Sequence, residues 1–144
     1  MEVKEKYDRN MVDLIEALNA FPGIETFGSC GGHKNPTPAQ WEKGTFYVKF
    51  DVAWNEDGRF SLEFLSWLIN TACPHLGQLD GIHLLPYAPP PYMNTPGECL
   101  CFVIEGRGSP RRLAKEVKKA FSMCFISAKD FRQMELQESE GGGR

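Results

Sequence analysis

The stretch that decides the fold reads Thr45-Phe46-Tyr47-Val48-Lys49-Phe50-Asp51-Val52-Ala53-Trp54. Its apolar members, Phe46, Val48, Phe50, Val52 and Trp54, alternate with mostly polar or amphipathic residues. A period of two is typical of a β-strand with one face in the core and the other in water. The stretch therefore predicts a sheet with one covered face.

Helical and extended patterns alternate on both sides of this strand. Apolar spacing predicts helices over residues 8–20 and 60–70 and a third from Ser109-Pro110 onward. Further strands are predicted over 24–30, 82–87 and 99–105. The element order α-β-β-α-β-β-α indicates an α+β fold, a single two-layer domain with a mixed or antiparallel sheet and helices packed on one face.

Capping and breaking residues set the predicted helix ends. Asp8 or Asn10 is available to cap the first helix, and Ser109 to cap the third with Pro110 at its first position. Residues 55–58, Asn-Glu-Asp-Gly, predict a turn. Pro74 is expected to end the second helix, because a proline disfavours helical backbone at the preceding residue.

Length and composition favour one globular domain. The chain has 144 residues, of which 42% are hydrophobic. We predict a ligand-binding domain over 1–136, including a short last helix over 127–136, and a flexible tail over 137–144. No apolar run approaches the roughly 20 residues of a membrane span, and the charged start is unlike a signal peptide, so a cytoplasmic protein without membrane contact is expected.

Net charge and cysteine count argue against two classes of protein, nucleic-acid coats and disulfide-rich domains. The net charge of -3 argues against a general nucleic-acid coat. Five cysteines, an odd count without a disulfide spacing, are expected to be reduced thiols. Cys99 and Cys101 alternate with apolar neighbours and are predicted to be small buried hydrophobes.

The candidate functional centre is Gly28-Ser29-Cys30-Gly31-Gly32-His33, where a short strand ends in glycines. Glycines let backbone approach a ligand closely, and Ser29, Cys30 and His33 add a hydroxyl, a thiol and an imidazole. A plain turn after a strand is the competing interpretation.

Two long connections follow the first strand of each half of the chain, over residues 31–44 and 88–97. Long connections in a compact domain are often binding loops or lids. If the halves are related by a pseudo-twofold axis, the two loops rim one cleft. Trp41 and Tyr92 are then placed to cover a ligand, although a lone loop aromatic more often anchors its loop to the core.

Metal binding is a hypothesis that the sequence disfavours. Cys30 and His33 have the C-x-x-H spacing of half a zinc site, and Cys73 and His75 are the available second pair. Paired knuckles are missing, so we predict no metal.

A nucleophilic Cys30 is also disfavoured. A reactive thiolate needs a base within hydrogen-bond reach, and the candidates are His33, His75 and His83. The distance of each histidine from Cys30 along the sequence does not identify any of them as that base.

Anion binding is supported by two separate stretches. Residues 28–32 can present backbone N–H groups in a nest. Arg107, Arg111 and Arg112 surround a helix N-terminus, where the macrodipole favours an anion and disfavours arginine. Salt bridges to Glu98, Glu105 or the acidic tail are an equally weighted explanation of these arginines.

Three lysines continue the basic surface along the third helix: Lys115, Lys118 and Lys119. Such a surface can guide an RNA backbone. An ordinary solvated helix face is the preferred interpretation.

The pattern of a strand followed by Ser29-Cys30-Gly31-Gly32-His33 resembles the Ser-Cys-x-Gly-Arg motif of the Tyw3 family, with His33 at the arginine position. That family is associated with S-adenosylmethionine-dependent methyl transfer in making the wybutosine base of tRNA. The resemblance implies an α/β layered fold and a ligand site that includes Ser29, Cys30 and Gly32.

We therefore predict a small-molecule-binding domain, a sensor or sequestering protein, for a nucleotide-like or other anionic ligand between residues 28–33 and 107–112. No cofactor is expected, and a homo-oligomer is possible. The alternatives are a Tyw3-like tRNA methyltransferase, which would use S-adenosylmethionine and bind RNA, and an interaction module built on the proline-rich hairpin. The predicted ligand-binding residues are Ser29, Cys30, Gly31, Gly32, His33, Trp41, Tyr92, Arg107, Arg111 and Arg112.

Overall fold

Strand β2, Thr45–Ala53, lies inside a four-stranded antiparallel sheet of the computed structural model. The other strands are β1, Ile24–Cys30, β3, Ile82–Pro86, and β4, Cys99–Arg107, in the spatial order β1-β2-β4-β3. The structure describes residues 7–77, 79, 81–88 and 99–141.

The helices cover one face of this sheet. Helix α1 is Val12–Asn19, α2 is Glu56–Trp67, α3 is Pro110–Ala120 and α4 is Ile126–Gly141. The predicted alternation is confirmed for four of its five apolar residues, which are buried among the apolar residues of the helices: Phe46, Val48, Phe50 and Val52. The fifth, Trp54, lies one residue beyond the end of β2 and is exposed, so its predicted place on the core face is wrong. The α+β class, the single domain and the element order are confirmed.

An aromatic cluster attaches the C-terminal helix to the core. The Phe125 ring is completely buried, with its centroid 4.8 Å from that of Phe21 and 5.2 Å from that of Phe64. Ion pairs between Lys129 and Asp57, 3.1 Å, and between Arg132 and Glu63, 2.6 Å, then hold α4 against α2.

Helix α4 is longer than the predicted 127–136. It continues to Gly141 because no helix-breaking residue occurs before that glycine. The segment over 137–141, predicted as part of a tail, therefore has helical backbone.

The predicted turn over 55–58 is wrong. Helix α2 already begins at Glu56, because the Asn55 side chain accepts a hydrogen bond from the Gly58 N–H (2.9 Å) and so acts as the N-cap. These four residues are a cap and a first helical turn.

The predicted end before Pro74 is also wrong. Helical backbone continues from α2 through a wider turn, Leu68–Ala72, into the short Cys73–His75 segment. The Cys73 N–H donates to the Leu68 carbonyl, five residues back instead of four. The regular helical hydrogen bonds are therefore already interrupted before Pro74, which has no N–H to donate.

The two long connections leave from opposite ends of the sheet. Cys30 pairs with Tyr47 near the start of β2, and Thr45 pairs with Arg107 at the end of β4. Pro86 pairs instead with Phe102, near the start of β4. The expectation that both connections are rooted at one cleft is therefore wrong.

Two further expectations concern burial and membrane contact. Cys101 is buried as predicted, and its thiol donates to an Asp51 carboxylate oxygen at 3.0 Å. Among the helices of the described residues, none has the length and apolar character that a membrane span requires.

Candidate functional site

The backbone turns sharply at Gly31, directly after β1. The Gly31 N–H donates to Asp8 Oδ2 at 2.7 Å, and the Asn10 amide donates to the Gly31 carbonyl at 3.0 Å. A Cβ at Gly31 would overlap the Asn10 carboxamide, so glycine permits this approach. Asp8 and Asn10, predicted as possible helix caps, thus bind the β1–β2 loop instead.

Hydrogen bonds close the loop behind this turn. The His33 N–H donates to the Trp41 carbonyl at 2.8 Å, and the Trp41 ring lies 5.1 Å from the Tyr47 ring. Trp41 therefore anchors the loop to the sheet, which is the commoner of its two predicted roles.

Asp8, Cys30 and His33 form a compact cluster of polar side chains. One potential ligand atom from each lies within 4.8 Å of the others, and Asp8 Oδ2 is 3.1 Å from His33 Nε2. Cys30 is only 3% exposed, and its Sγ accepts a hydrogen bond from the Trp41 N–H at 3.4 Å. Among the described residues, Cys73 and His75 are not part of this cluster.

An open pocket of about 530 Å³ lies beside the cluster. It is bordered by the turn after β1, by the end of the 31–44 connection and by the start of α3. The lining residues are Asn10, Gly31, Gly32, His33, Lys34, Lys43, Gly44, Gly108, Ser109, Pro110 and Arg111.

The start of α3 contributes partial positive charge to this pocket. The Ser109 hydroxyl caps the helix by accepting from the Arg112 N–H at 3.1 Å, as predicted. The Gly108 N–H donates to the Gly44 carbonyl at 2.9 Å and so ties the helix start to the loop. The first N–H groups of a helix lack intrahelical acceptors, which favours an anion there.

The charged side chains that line the pocket are basic. Lys34, Lys43 and Arg111 surround it together with His33, and none of the lining residues that the structure describes is Asp or Glu. Within the described part of the chain, Arg107, Arg111 and Arg112 form no ion pair. The salt-bridge explanation of these arginines thus finds no support among those residues.

The structure brings together four of the predicted site residues, Gly31, Gly32, His33 and Arg111. The pocket lining omits five others that the structure describes, namely Ser29, Cys30, Trp41, Arg107 and Arg112. Tyr92 and most of the proline-rich hairpin lie outside the described residues.

The predicted backbone nest over residues 28–32 takes a different form. The Gly31 N–H already donates to the Asp8 carboxylate, and β1 pairs with β2 through Gly28, Ser29 and Cys30. An anion of the protein itself is therefore bound at this turn.

Several residues at the site are absent from the sequence-based prediction, and four of them carry polar side chains outside its two predicted stretches. Asp8 and Asn10 hold the turn, and Lys34 and Lys43 line the pocket. Lys34 and Lys43 lie near the two ends of the 31–44 connection. Because the two ends of one connection lie close together, this spacing could have predicted that both lysines line the same pocket.

Comparison with known proteins provides no family assignment: no family model, curated protein or solved structure matches this chain.

Proposed function

We propose that this protein binds a small anionic ligand, nucleotide-like or other, in the pocket between residues 31–34 and 108–111, as a sensor or sequestering protein. The observation that carries the proposal is that, among the described residues, every charged side chain lining the pocket is basic, at a helix N-terminus that also favours an anion.

The chemistry of the lining favours the anionic part of such a ligand. Guanidinium and ammonium groups donate charge-assisted hydrogen bonds to phosphate or carboxylate oxygens. No Phe, Tyr or Trp is among the lining residues that the structure describes, so the lining favours the anionic group rather than an aromatic base. The volume of about 530 Å³ falls within the ordinary range for small-molecule sites.

Exposure of the basic groups sets the expected salt dependence. Lys34, Lys43 and Arg111 are all exposed. Their attraction for an anion is therefore screened by salt, and affinity should fall as ionic strength rises.

Calorimetric titration with inorganic phosphate and with nucleoside mono- and diphosphates tests the proposal. We expect saturable binding that Arg111→Ala and Lys43→Ala each weaken about 10-fold, because each removes a charge-assisted contact. Arg112→Ala is the matched control, since Arg112 is an exposed neighbour that does not line the pocket.

Absence of binding across this panel would contradict the proposal, as would equal weakening by Arg112→Ala. S-adenosylmethionine belongs in the same panel. If it alone binds, and a tRNA precursor is then methylated, the Tyw3-like alternative replaces the proposal.

A further inference from the structure

We propose that Asp8, Cys30 and His33 form a binding site for a divalent metal ion of the zinc class. Their potential ligand atoms, a carboxylate oxygen, a thiol sulfur and an imidazole nitrogen, lie within 4.8 Å of one another. The site takes a different class of ligand from the anion pocket and does not rest on the proposed function.

The separation of Asp8 from His33 is close to what a zinc ion needs, and Cys30 lies within 4.8 Å of both. Zinc bonds of about 2.0–2.3 Å in a tetrahedral arrangement place neighbouring ligand atoms roughly 3.3–3.6 Å apart. Asp8 Oδ2 and His33 Nε2 are already 3.1 Å apart. Small side-chain rotations bring the three atoms around one ion, with Cys30 in its thiolate form and the displaced protons released to water.

Backbone hydrogen bonds orient two of the three proposed metal ligands. The Gly31 N–H donates to Asp8 Oδ2 at 2.7 Å, and the Trp41 N–H donates to Cys30 Sγ at 3.4 Å. Metal-binding carboxylates and thiolates commonly accept such bonds, which orient them. Both donors here are backbone groups of the 31–44 connection, so the loop fold itself positions the ligands.

The set of donor atoms selects the ion. A thiolate and an imidazole favour zinc and similar transition metals, whereas magnesium and calcium favour oxygen donors alone. Three protein ligands leave a fourth position for water or another ligand, as in open zinc sites. Because His33 also lines the pocket, a fourth ligand can approach from that side.

A Cys-His-Asp nucleophile is the competing use of the same residues. Cys30 is 3% exposed and is not among the residues lining the pocket, so a substrate bound there does not contact the thiol. The Asp8 and His33 side chains are 33% and 30% exposed, which gives an ion access to the cluster. This exposure pattern favours the metal site.

The test uses the full chain, freed of metal by a chelator and then titrated with Co²⁺ or Zn²⁺ alone. We expect one ion per chain and, with Co²⁺, the thiolate-to-metal charge-transfer band in the near ultraviolet. At a free Zn²⁺ concentration of 100 times Kd, the thermal midpoint should rise by about 5–10 °C.

Variants locate the ion. Cys30→Ser should remove the charge-transfer band. His33→Gln and Asp8→Asn each remove a ligand, so each should weaken binding by at least about 100-fold, the upper end of the loss caused by removing a group that only hydrogen-bonds to a ligand. The matched controls are Cys124→Ser and His83→Gln, which alter an exposed thiol and an exposed imidazole elsewhere and should change nothing.

Measurements on the unmodified protein are enough to reject the proposal, even if a variant fails to fold. Less than one ion per chain at saturating Zn²⁺, or Co²⁺ binding without the thiolate band, excludes the site. A band that survives in folded Cys30→Ser places the ion elsewhere. None of these outcomes depends on whether phosphate binds.

Discussion

Gly32 and Gly44 have the same backbone φ of +93° but very different surroundings. A Cβ at Gly32 would lie 2.6 Å from the Thr45 carbonyl oxygen and 2.9 Å from that of Glu42, whereas a Cβ at Gly44 would meet nothing within 4 Å. We predict that Gly44→Ala lowers the free energy of unfolding by about 1 kcal/mol, from backbone strain alone.

Gly32→Ala should cost more, about 3 kcal/mol, because the strain is joined by a clash with backbone that cannot rotate away. Urea denaturation of the two variants measures the difference. Equal losses of stability would show that the loop over 32–44 relaxes around the added methyl group.

The fold changes the ionisation of the buried Cys73 thiol. Burial, and secondarily the negative charge of Glu116, raises its pKa above the ordinary 9.0. The folded state then holds this proton more tightly than the unfolded chain. Its contribution to stability is present below pH 9.0 and is lost as the pH rises through the raised value.

Thiol reactivity checks this ionisation. The thiolate is the reactive form, so at pH 8 we expect an alkylating reagent to modify exposed Cys124 first and buried Cys73 much more slowly. Peptide mass mapping over time measures the order, with Cys124→Ser as the control. Cys73 modified as fast as Cys124 in folded protein would contradict the burial.

At the scale of elements, alternation was the most informative signal in the sequence. It places β2 correctly because side chains on a strand have a strict period of two. The start of α2 was missed because Asn55 and Gly58 suit both a turn and a capped helix. In the structure Gly58 also packs closely against Ala53 and Gly23, and no local sequence pattern indicates the contact with Gly23.

Two helix caps separate stability from binding. Ser109→Ala and Asn55→Ala each remove a side-chain cap, and each should lower the free energy of unfolding by about 1 kcal/mol. Only Ser109 lines the pocket, so only Ser109→Ala should also weaken phosphate binding. Urea denaturation and calorimetry on both variants test this, and equal loss of binding in Asn55→Ala would mean that binding reports global stability.

For the whole molecule, Phe125 connects α4 to the core. Its ring contacts those of Phe21, Phe60, Phe64 and Phe121, with centroids 4.8–5.3 Å away. We predict that Phe125→Ala lowers the free energy of unfolding by about 4 kcal/mol, since it leaves a cavity among rings.

The matched control is Phe131→Ala within α4, where the ring is 60% exposed and the change should stay within about 0.5 kcal/mol. Chemical denaturation compares the two. A small loss in Phe125→Ala would show that α4 is not part of the cooperative fold.

The candidate site could be predicted only in part because its contacts are distant in sequence. The motif over 28–33 and the α3 start carry local signals, glycines and an N-cap, and they border one pocket. Asp8 lies 23 residues from Gly31 and 25 from His33, and no periodicity reports such a contact. The pairing of β2 with β4 likewise depends on the whole sheet. The order of the elements along the chain therefore does not predict at which end of the sheet each long connection lies.

The central claim, an anion bound between the turn after β1 and the start of α3, is tested most directly by NMR titration of the ¹⁵N-labelled chain with inorganic phosphate and a nucleoside diphosphate. We predict saturable amide shifts concentrated at Gly31, Gly32, Gly44, Gly108 and Ser109, with Gly58 and Gly77 unchanged. Shifts that do not saturate, or that centre on Lys118 and Lys119, would contradict it.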